Sequence, residues 1–466
     1  MESVTLGSPH FEAKETPWVA DPPSLGKEAL GSLPCRWRVA PATPMLEVAQ
    51  FRSLPSGTRA TAKGDRMAVL SRLTRITTSG RFVPEIDGLR FLAIAMVVIY
   101  HLDDTLRSHA DSAVRGAWGQ SWVSQVAQQG HYGVQLFFVL SGYILCLPFA
   151  LHALTGAPPV RLRAYFLRRV TRLEPPYVAS LLLRALALLV VGHLALATAL
   201  PHLGASLVYV HNLAFGQMST INVVAWSLEV EVQFYLLAPL FAAVFFIRSA
   251  RRRRTLILAC MAAAALAQLR WVVPDSRADL SLLGFVQFFL AGLLLTDIYV
   301  TDWAQQPRPH VFGDVLGLAA LFAILLDAYE NALPGLLLPP LIVLLYAAVF
   351  RGRLLRRVAC WPPIVAVGGM CYTIYLWHYG VLAATTRATR ALSWPGNYAA
   401  TLGVQFVLTA AVVLAVSVVL FVTIERPCMR RDWPQRAAFW LREVTRRFRT
   451  APGPGAVRKL PEPGSD

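Results

Sequence analysis

Charge is scarce in this chain. Only 15% of its 466 residues are Asp, Glu, Lys or Arg, and the 27 acidic residues are outnumbered by 44 basic ones. So few charges cannot coat a soluble domain of this size, which excludes an ordinary water-soluble globular protein. Cysteine is sparse too: Cys35, Cys146, Cys260, Cys360, Cys371 and Cys428 stand singly, with no C-x-x-C pair. That excludes a disulfide framework and gives no sign of a zinc site, and no metal is expected. No basic segment leads directly into an apolar run at the N-terminus, so a signal peptide is not expected. No internal repeat is visible either, which disfavours inverted-repeat transporter architectures.

What the chain has in abundance is apolar length. Hydrophobic residues make up 55% of it and its mean hydropathy is +0.49. The apolar residues come in blocks of about 17–25, the length that crosses a ~30 Å hydrocarbon core as helix. The fold class expected is therefore all-α: a polytopic membrane protein of about ten transmembrane helices. The spans are placed near 89–107, 132–152, 178–198, 228–247, 255–273, 281–299, 311–327, 335–350, 364–384 and 401–424.

A net charge of +17 could suggest nucleic acid, but its distribution points elsewhere. Basic clusters follow the second, fourth and eighth spans: Arg161 to Arg172, Arg248 to Arg254, and Arg351 to Arg357. The loops on the other side hold only Arg115, Arg277, Arg387 and Arg390. This is the positive-inside pattern, so both termini are expected in the cytoplasm, the partner is the lipid bilayer, and no nucleic acid is involved. Residues 1–80, rich in Pro, Ser, Gly and Thr, read as a disordered cytoplasmic tail, within which Met67 is an alternative start. Residues 81–428 hold the spans. Residues 429–466 form a basic tail, in which Trp440, Val444 and Phe448 alternate with arginines as in an interfacial helix on anionic lipid.

Ionisable groups inside apolar spans are costly, so each is a functional candidate. Arg90 and His101 are eleven residues apart on the first span. At ~100° per residue they share nearly one face, with His101 ~16 Å above Arg90, near mid-membrane. Asp87 lies one turn below Arg90 and is placed to pair with it. A topology anchor and a polar interhelix contact would explain the two residues equally well. Ser141 and Gly142 lie in the second span, where small residues normally serve close helix packing. Ser227, Glu231 and Tyr235 stand at i, i+4 and i+8 after Trp226, on one face; a helix-start role fits Glu229 better than Glu231. Tyr375 and His378 stand at i and i+3 in the ninth span, with Cys371 another turn below. A lone intramembrane histidine there is as readily explained as hydrogen-bonded glue.

Taken in order, these segments resemble the acyltransferase 3 family of membrane O-acyltransferases. Pro84, Asp87, Gly88, Leu89, Arg90 and His101 match its Pro-x-x-Asp-Gly-Leu-Arg segment with a histidine after ten further residues. Gly133, Val134, Phe137, Phe138, Leu140, Ser141 and Gly142 match its second segment. Arg168, Arg169, Arg172, Pro175 and Tyr177 look like its arginine-rich stretch. Trp226, Ser227, Leu228, Glu231, Phe234 and Tyr235 match the fourth, and Tyr372 to His378 the fifth. The resemblance covers about 81–428, through Glu425-Arg426-Pro427. Cys371 and Thr373 stand where serines are usual, and neither is expected to touch the centre. No extracytoplasmic esterase-like domain is expected after the last span, unlike some relatives.

The resemblance implies transfer of an acyl group, usually acetyl from acetyl-CoA or another acyl-CoA, to a hydroxyl of a glycan, lipid-linked sugar or secondary metabolite. It also implies a multi-pass protein of the bacterial inner membrane. Such chemistry needs a base, a site for CoA phosphates and donors for the oxyanion. His101 is the expected base, since imidazole exchanges protons near neutrality, or alternatively a transient acyl carrier. Arg90 suits phosphate or thioester binding on the cytoplasmic side, and Arg168, Arg169 and Arg172 suit the phosphates of CoA, although topology alone would account for them. Glu231 and Tyr235 are expected to orient His101 or bind the acceptor, with His378 a second base candidate. Ser141, Trp226, Ser227 and Tyr235 are the expected acceptor contacts. A transporter or flippase of lipid-linked sugars would also bury Arg, His and Glu along a conduit, and a scaffolding protein remains a third alternative. The acceptor's identity and the oligomeric state are not legible from the sequence.

Overall fold

The computed structural model describes Arg75, Ile76 and residues 82–442, apart from 275, 304–308, 327–331, 431, 437, 440 and 441, and not the side chains of 332–335. Nearly all of the N-terminal tail, Cys35, Met67 and the Trp440–Phe448 helix expected in the C-terminal tail lie outside the described residues. Every regular element among the described residues is helical. In order the helices are α1 (Pro84–Ser108), α2 (Ser112–Gly119), α3 (Trp122–Gln128), α4 (Gly133–Thr155), α5 (Leu162–Val190), α6 (Leu196–Leu207) and α7 (His211–Phe215). There follow α8 (Trp226–Phe241), α9 (Ala250–Trp271), α10 (Leu282–Thr301), α11 (Val311–Leu325), α12 (Ala332–Arg351) and α13 (Leu354–Ala359). The last are α14 (Pro362–Gly369), α15 (Cys371–Ala388), α16 (Tyr398–Leu420) and a final turn α17 (Arg426–Cys428), which a π-helical stretch (Phe421–Glu425) joins to α16.

Each of the ten expected spans falls wholly or largely on helix. Among the described residues five helical stretches are long and apolar enough to cross a membrane, and six if α14 and α15, bent by 73° at their junction, count as one span. Helix α1 has the length but carries three or more charged residues in any stretch of eighteen. Helix α11 is short.

The surface is that of a protein in lipid. Leu186 on α5, Leu236 and Leu240 on α8, Phe322 on α11 and Val407 on α16 are all exposed, whereas Asp87, Asp103, Asp297, Glu229 and Glu425 are buried. In water the first group would be a liability; against acyl chains it is the favourable arrangement, and the polar groups must find partners inside.

At the centre α4 crosses α10 at backbone contact. A Cβ placed on Gly142 would meet the Phe289 carbonyl oxygen at 2.4 Å, and one on Gly292 would meet that of Val139 at 2.3 Å. Small residues allow this close approach, the packing role expected for Ser141-Gly142. Helix α1 begins where Val83 is extended and Pro84 occupies its first turn, with Glu85 and Asp87 at the positive end of the helix and Arg107 at the other. It lies against α14, α15 and α4. The approach to α14 is equally tight: a Cβ on Gly368 would overlap the Asp87 carbonyl.

Gly292→Ala should cost about 2 kcal/mol from overpacking and lower the melting temperature in detergent. Gly403→Ala, where nothing lies within 4 Å of the added methyl, should leave it unchanged or raise it slightly. Equal melting temperatures for the two variants would contradict the close crossing of α4 and α10.

Candidate active site

Helices α1 and α15 run side by side and build two layers of polar residues between them. The lower layer surrounds Asp87. This fully buried carboxylate accepts from Arg75 Nε at 2.9 Å and from Arg90 Nη1 at 2.8 Å, the pairing that the i, i+3 spacing predicts. Burial first, and the neighbouring Arg90 second, pull Arg75 down to about 10, so it stays charged at neutral pH. Arg172 of α5 lies within electrostatic reach of Arg90, and its Nε is buried without a hydrogen-bond partner. Glu231 of α8 accepts a short hydrogen bond from Ser141 of α4 and lies near Arg90 and the Tyr235 hydroxyl. Arg169 sits 5.3 Å from the ring centres of both Tyr165 and Tyr235, a cation held between two aromatic rings. Arg168 is exposed and makes no hydrogen bond or ion pair among the described residues.

The broken helix completes this layer. Glu425, in the π-helical turn after α16, accepts from the Thr373 N–H at 3.1 Å and from the Thr373 hydroxyl. It thereby caps the first turn of α15 from another helix, because Met370 before it has no side-chain oxygen to do so. Arg172 and Arg90 lie within electrostatic reach of Glu425, and Cys371 lies within that of Arg90 and Arg172. Cys371, expected to stand apart from the centre, thus lies within electrostatic reach of Arg90, while Thr373 donates to Glu425 and makes no hydrogen bond to Arg90 or His101. The bend between α14 and α15 swings the start of α15 into the arginine layer.

The upper layer is histidine. His101 and His378 face each other with ring centres 5.2 Å apart, and Tyr379 meets His101 edge-on at 5.3 Å. His378 Nδ1 lies 3.0 Å from the Ile374 carbonyl oxygen and 2.9 Å from that of Tyr375. Carbonyls only accept, so Nδ1 bears the proton and Nε2 is the bare nitrogen; that Nε2 is buried with no partner among the described residues. His101 Nδ1 is likewise buried and unpartnered. A pair of facing imidazoles with unpartnered nitrogens is equipped to take up and hand on a proton.

Convergence is thus partial. His101 and His378 come together, and Arg90, Glu231, Tyr235, Ser141, Arg169 and Arg172 come together, but along α1 the two groups stand ~16 Å apart. Glu231 does not orient His101: no hydrogen bond joins them, and the electrostatic neighbour of His101 is His378. Ser227 hydrogen-bonds to the Tyr375 hydroxyl at 3.1 Å, which itself donates to the Val224 carbonyl, tying α8 to α15 between the layers. The Trp226 ring packs on Phe285 at 5.3 Å. Glu229 accepts from the Asn212 N–H at 2.8 Å at the start of α7, the structural role its position suggested.

Arg75, within the tail expected to be disordered, Arg184, Tyr379 and the capping role of Glu425 are what sequence reasoning passed over. For Arg184 the signal was present, an arginine inside the apolar block 178–198; for Tyr379 and Glu425 only the bend of α15 reveals the neighbourhood. Among the described residues no group of three or more His, Cys, Asp or Glu comes together to hold a metal ion.

Removing the Asp87 carboxylate should leave Arg75 without its ion-pair partner and Arg90 with only the more distant Glu231 and Glu425. Asp87→Ala is expected to cost about 3–5 kcal/mol, read as a lower melting temperature, and adding Arg75→Gln should return part of it. A single variant as stable as the wild type would show that the pair carries no structural weight.

A model of a family described as an acyltransferase domain, Acyl_transf_3, matches residues 83–424. The chain is 27% identical over 345 residues to the peptidoglycan O-acetyltransferase OatA of Listeria monocytogenes, covering 68% of this chain and 52% of that protein. It is 26% identical over 340 residues to a Bacillus subtilis protein named "Putative peptidoglycan O-acetyltransferase YrhL", covering 66% and 50%. A Staphylococcus aureus protein named "Putative O-acetyltransferase SACOL0978" is 23% identical over 329 residues, covering 65% and 51%. The chain thus spans about half the length of these curated relatives. No solved structure matches it.

Proposed function

The chain belongs to the acyltransferase 3 family, and from that premise we propose that it is a membrane O-acyltransferase moving an acetyl or similar group from acyl-CoA to a glycan hydroxyl. The observation that carries this reading is the layering: two imidazoles with open nitrogens stand directly above a layer of arginines inside one lipid-facing bundle. Ten crossings with both termini in the cytoplasm of a bacterial cell, residues 81–428 as the catalytic domain and flanking cytoplasmic tails complete the proposal. In that orientation the arginine layer opens toward the cytoplasm, where acyl-CoA is found, and the histidines lie toward the far side, where a cell-wall glycan is.

Arg90, Arg169 and Arg172 bind the donor's phosphates as delocalised cations that stay charged when buried, and exposed Arg168 draws the donor in from the aqueous side. The extended arm of the donor bridges the gap between the layers and presents the thioester to His101. His101 takes the proton of the acceptor hydroxyl as it attacks the acyl carbon, and the open Nε2 of His378 lies beside it as a second proton acceptor. Glu231, hydrogen-bonded to Ser141 and facing Tyr235, balances the arginine layer. Ser227 and Trp226 line the route between the layers. The muropeptide-type glycan is taken as acceptor because two of the relatives are named for peptidoglycan.

Purified protein in liposomes, given radiolabelled acetyl-CoA and solubilised peptidoglycan fragments, should yield label in a base-labile ester on the glycan. Movement of glycan across the bilayer without any transfer would instead mark a transporter. His101→Ala should abolish transfer with expression and insertion near normal. Arg90→Lys keeps the charge and loses only the planar fork, and should still slow transfer roughly tenfold or more, the worth of one charge-assisted hydrogen bond. Wild-type activity in that variant would reduce Arg90 to a topology anchor.

A further inference from the structure

Arg184 sits on α5 twelve residues beyond Arg172, ~18 Å farther along the helix and therefore level with the histidines rather than the arginine layer. Its Nε donates to the Ile221 carbonyl oxygen at 3.2 Å, which fixes one edge of the guanidinium. The rest lies against α15 at Gly380, where a Cβ would stand 3.4 Å from Nη1 and 3.6 Å from both Cζ and Nη2. Three such similar distances mean that the flat face of the guanidinium rests on the glycine backbone, two residues past His378. His378 and Tyr379 are both within its electrostatic reach.

No carboxylate answers this charge. Arg90 has Asp87, and Arg253 and Arg254 share Asp297, but Arg184 forms no ion pair among the described residues. His101 brings no anion either, since its own charged neighbour is His378. An arginine half-buried on a lipid-facing helix with no counterion among the described residues is costly unless an anion arrives during function. Its guanidinium is already oriented by the Ile221 carbonyl and the Gly380 backbone, with His378 within electrostatic reach.

We propose that Arg184 is a catalytic residue that binds the oxyanion formed during acyl transfer. The assignment rests on the acyltransferase reading above. As His101 removes the acceptor's proton, the acceptor oxygen bonds to the thioester carbonyl carbon and the carbonyl electron pair moves onto its oxygen. Arg184 holds that negative oxygen with N–H donors that need no reorganisation. The pair then returns to re-form the carbonyl, the carbon–sulfur bond breaks, and the leaving thiolate takes the proton from the imidazolium. The ester and the free thiol account for every atom.

The test uses the full chain in liposomes with acetyl-CoA and solubilised peptidoglycan fragments. Arg184→Gln should lower kcat roughly 100-fold or more, as loss of an oxyanion donor does, with KM for both substrates changed by less than about threefold. Arg184→Lys should show an intermediate kcat, and millimolar guanidinium should restore part of the kcat of Arg184→Ala. Unchanged kcat in Arg184→Gln overturns the assignment, as does a rise confined to the KM of the glycan, which would make Arg184 an acceptor anchor. Equal kcat in the Lys and Gln variants at wild-type melting temperatures overturns it too. A wild-type chain that transfers nothing overturns the acyltransferase reading and this assignment together, whereas an active wild type beside an unimpaired Arg184→Gln overturns this assignment alone.

Discussion

Asp87 is the anion on which the arginine layer depends. It is fully buried at the start of α1, and it holds Arg75 from the segment before the helix and Arg90 one turn above. Guanidinium groups gathered inside an apolar bundle repel one another and lose their hydration, so the layer exists only where carboxylates compensate it. Asp87, Glu231 and Glu425 do so from three separate helical segments. Each carboxylate is also spent on structure: Glu231 accepts from Ser141, and Glu425 caps α15.

The bend at the α14–α15 junction turns this ionic layer into part of a site. Gly368 lets α14 meet α1 at backbone distance, and the chain then turns by 73°, so that α15 rises alongside α1 with Cys371 near Arg90 and His378 beside His101. An unbroken helix over 362–388 would carry one end away from α1. The cost of the break is an exposed set of N–H groups at the start of α15, and Glu425 meets part of it from the far end of the chain. Non-helical backbone at this depth is tolerated because it is enclosed by protein rather than lipid.

Two kinds of arginine result. Those of the lower layer have carboxylate neighbours or aromatic faces, whereas Arg184 in the upper layer has neither an ion pair nor a ring contact among the described residues and donates to a backbone carbonyl instead. The histidines share this second environment. Three turns of α1 separate them from the lower layer, so the imidazoles and the arginines occupy distinct polar environments within one bundle.

Much of this was legible in residue order alone. Apolar blocks of spanning length announced helices at every place where the structure has long ones, because a backbone in lipid has to satisfy its own hydrogen bonds. The eleven-residue spacing put Arg90 and His101 on one face of α1, and the i, i+3 spacing put Asp87 against Arg90, because helical periodicity is a local property. Which helices lie together is not local. That His378 meets His101, that Cys371 and Glu425 enter the arginine layer, that Glu231 serves Ser141 rather than His101, and that Arg184 lies against Gly380 all depend on how the helices pack. Such contacts join residues that can stand nearly 300 positions apart, and no periodicity along the chain encodes them.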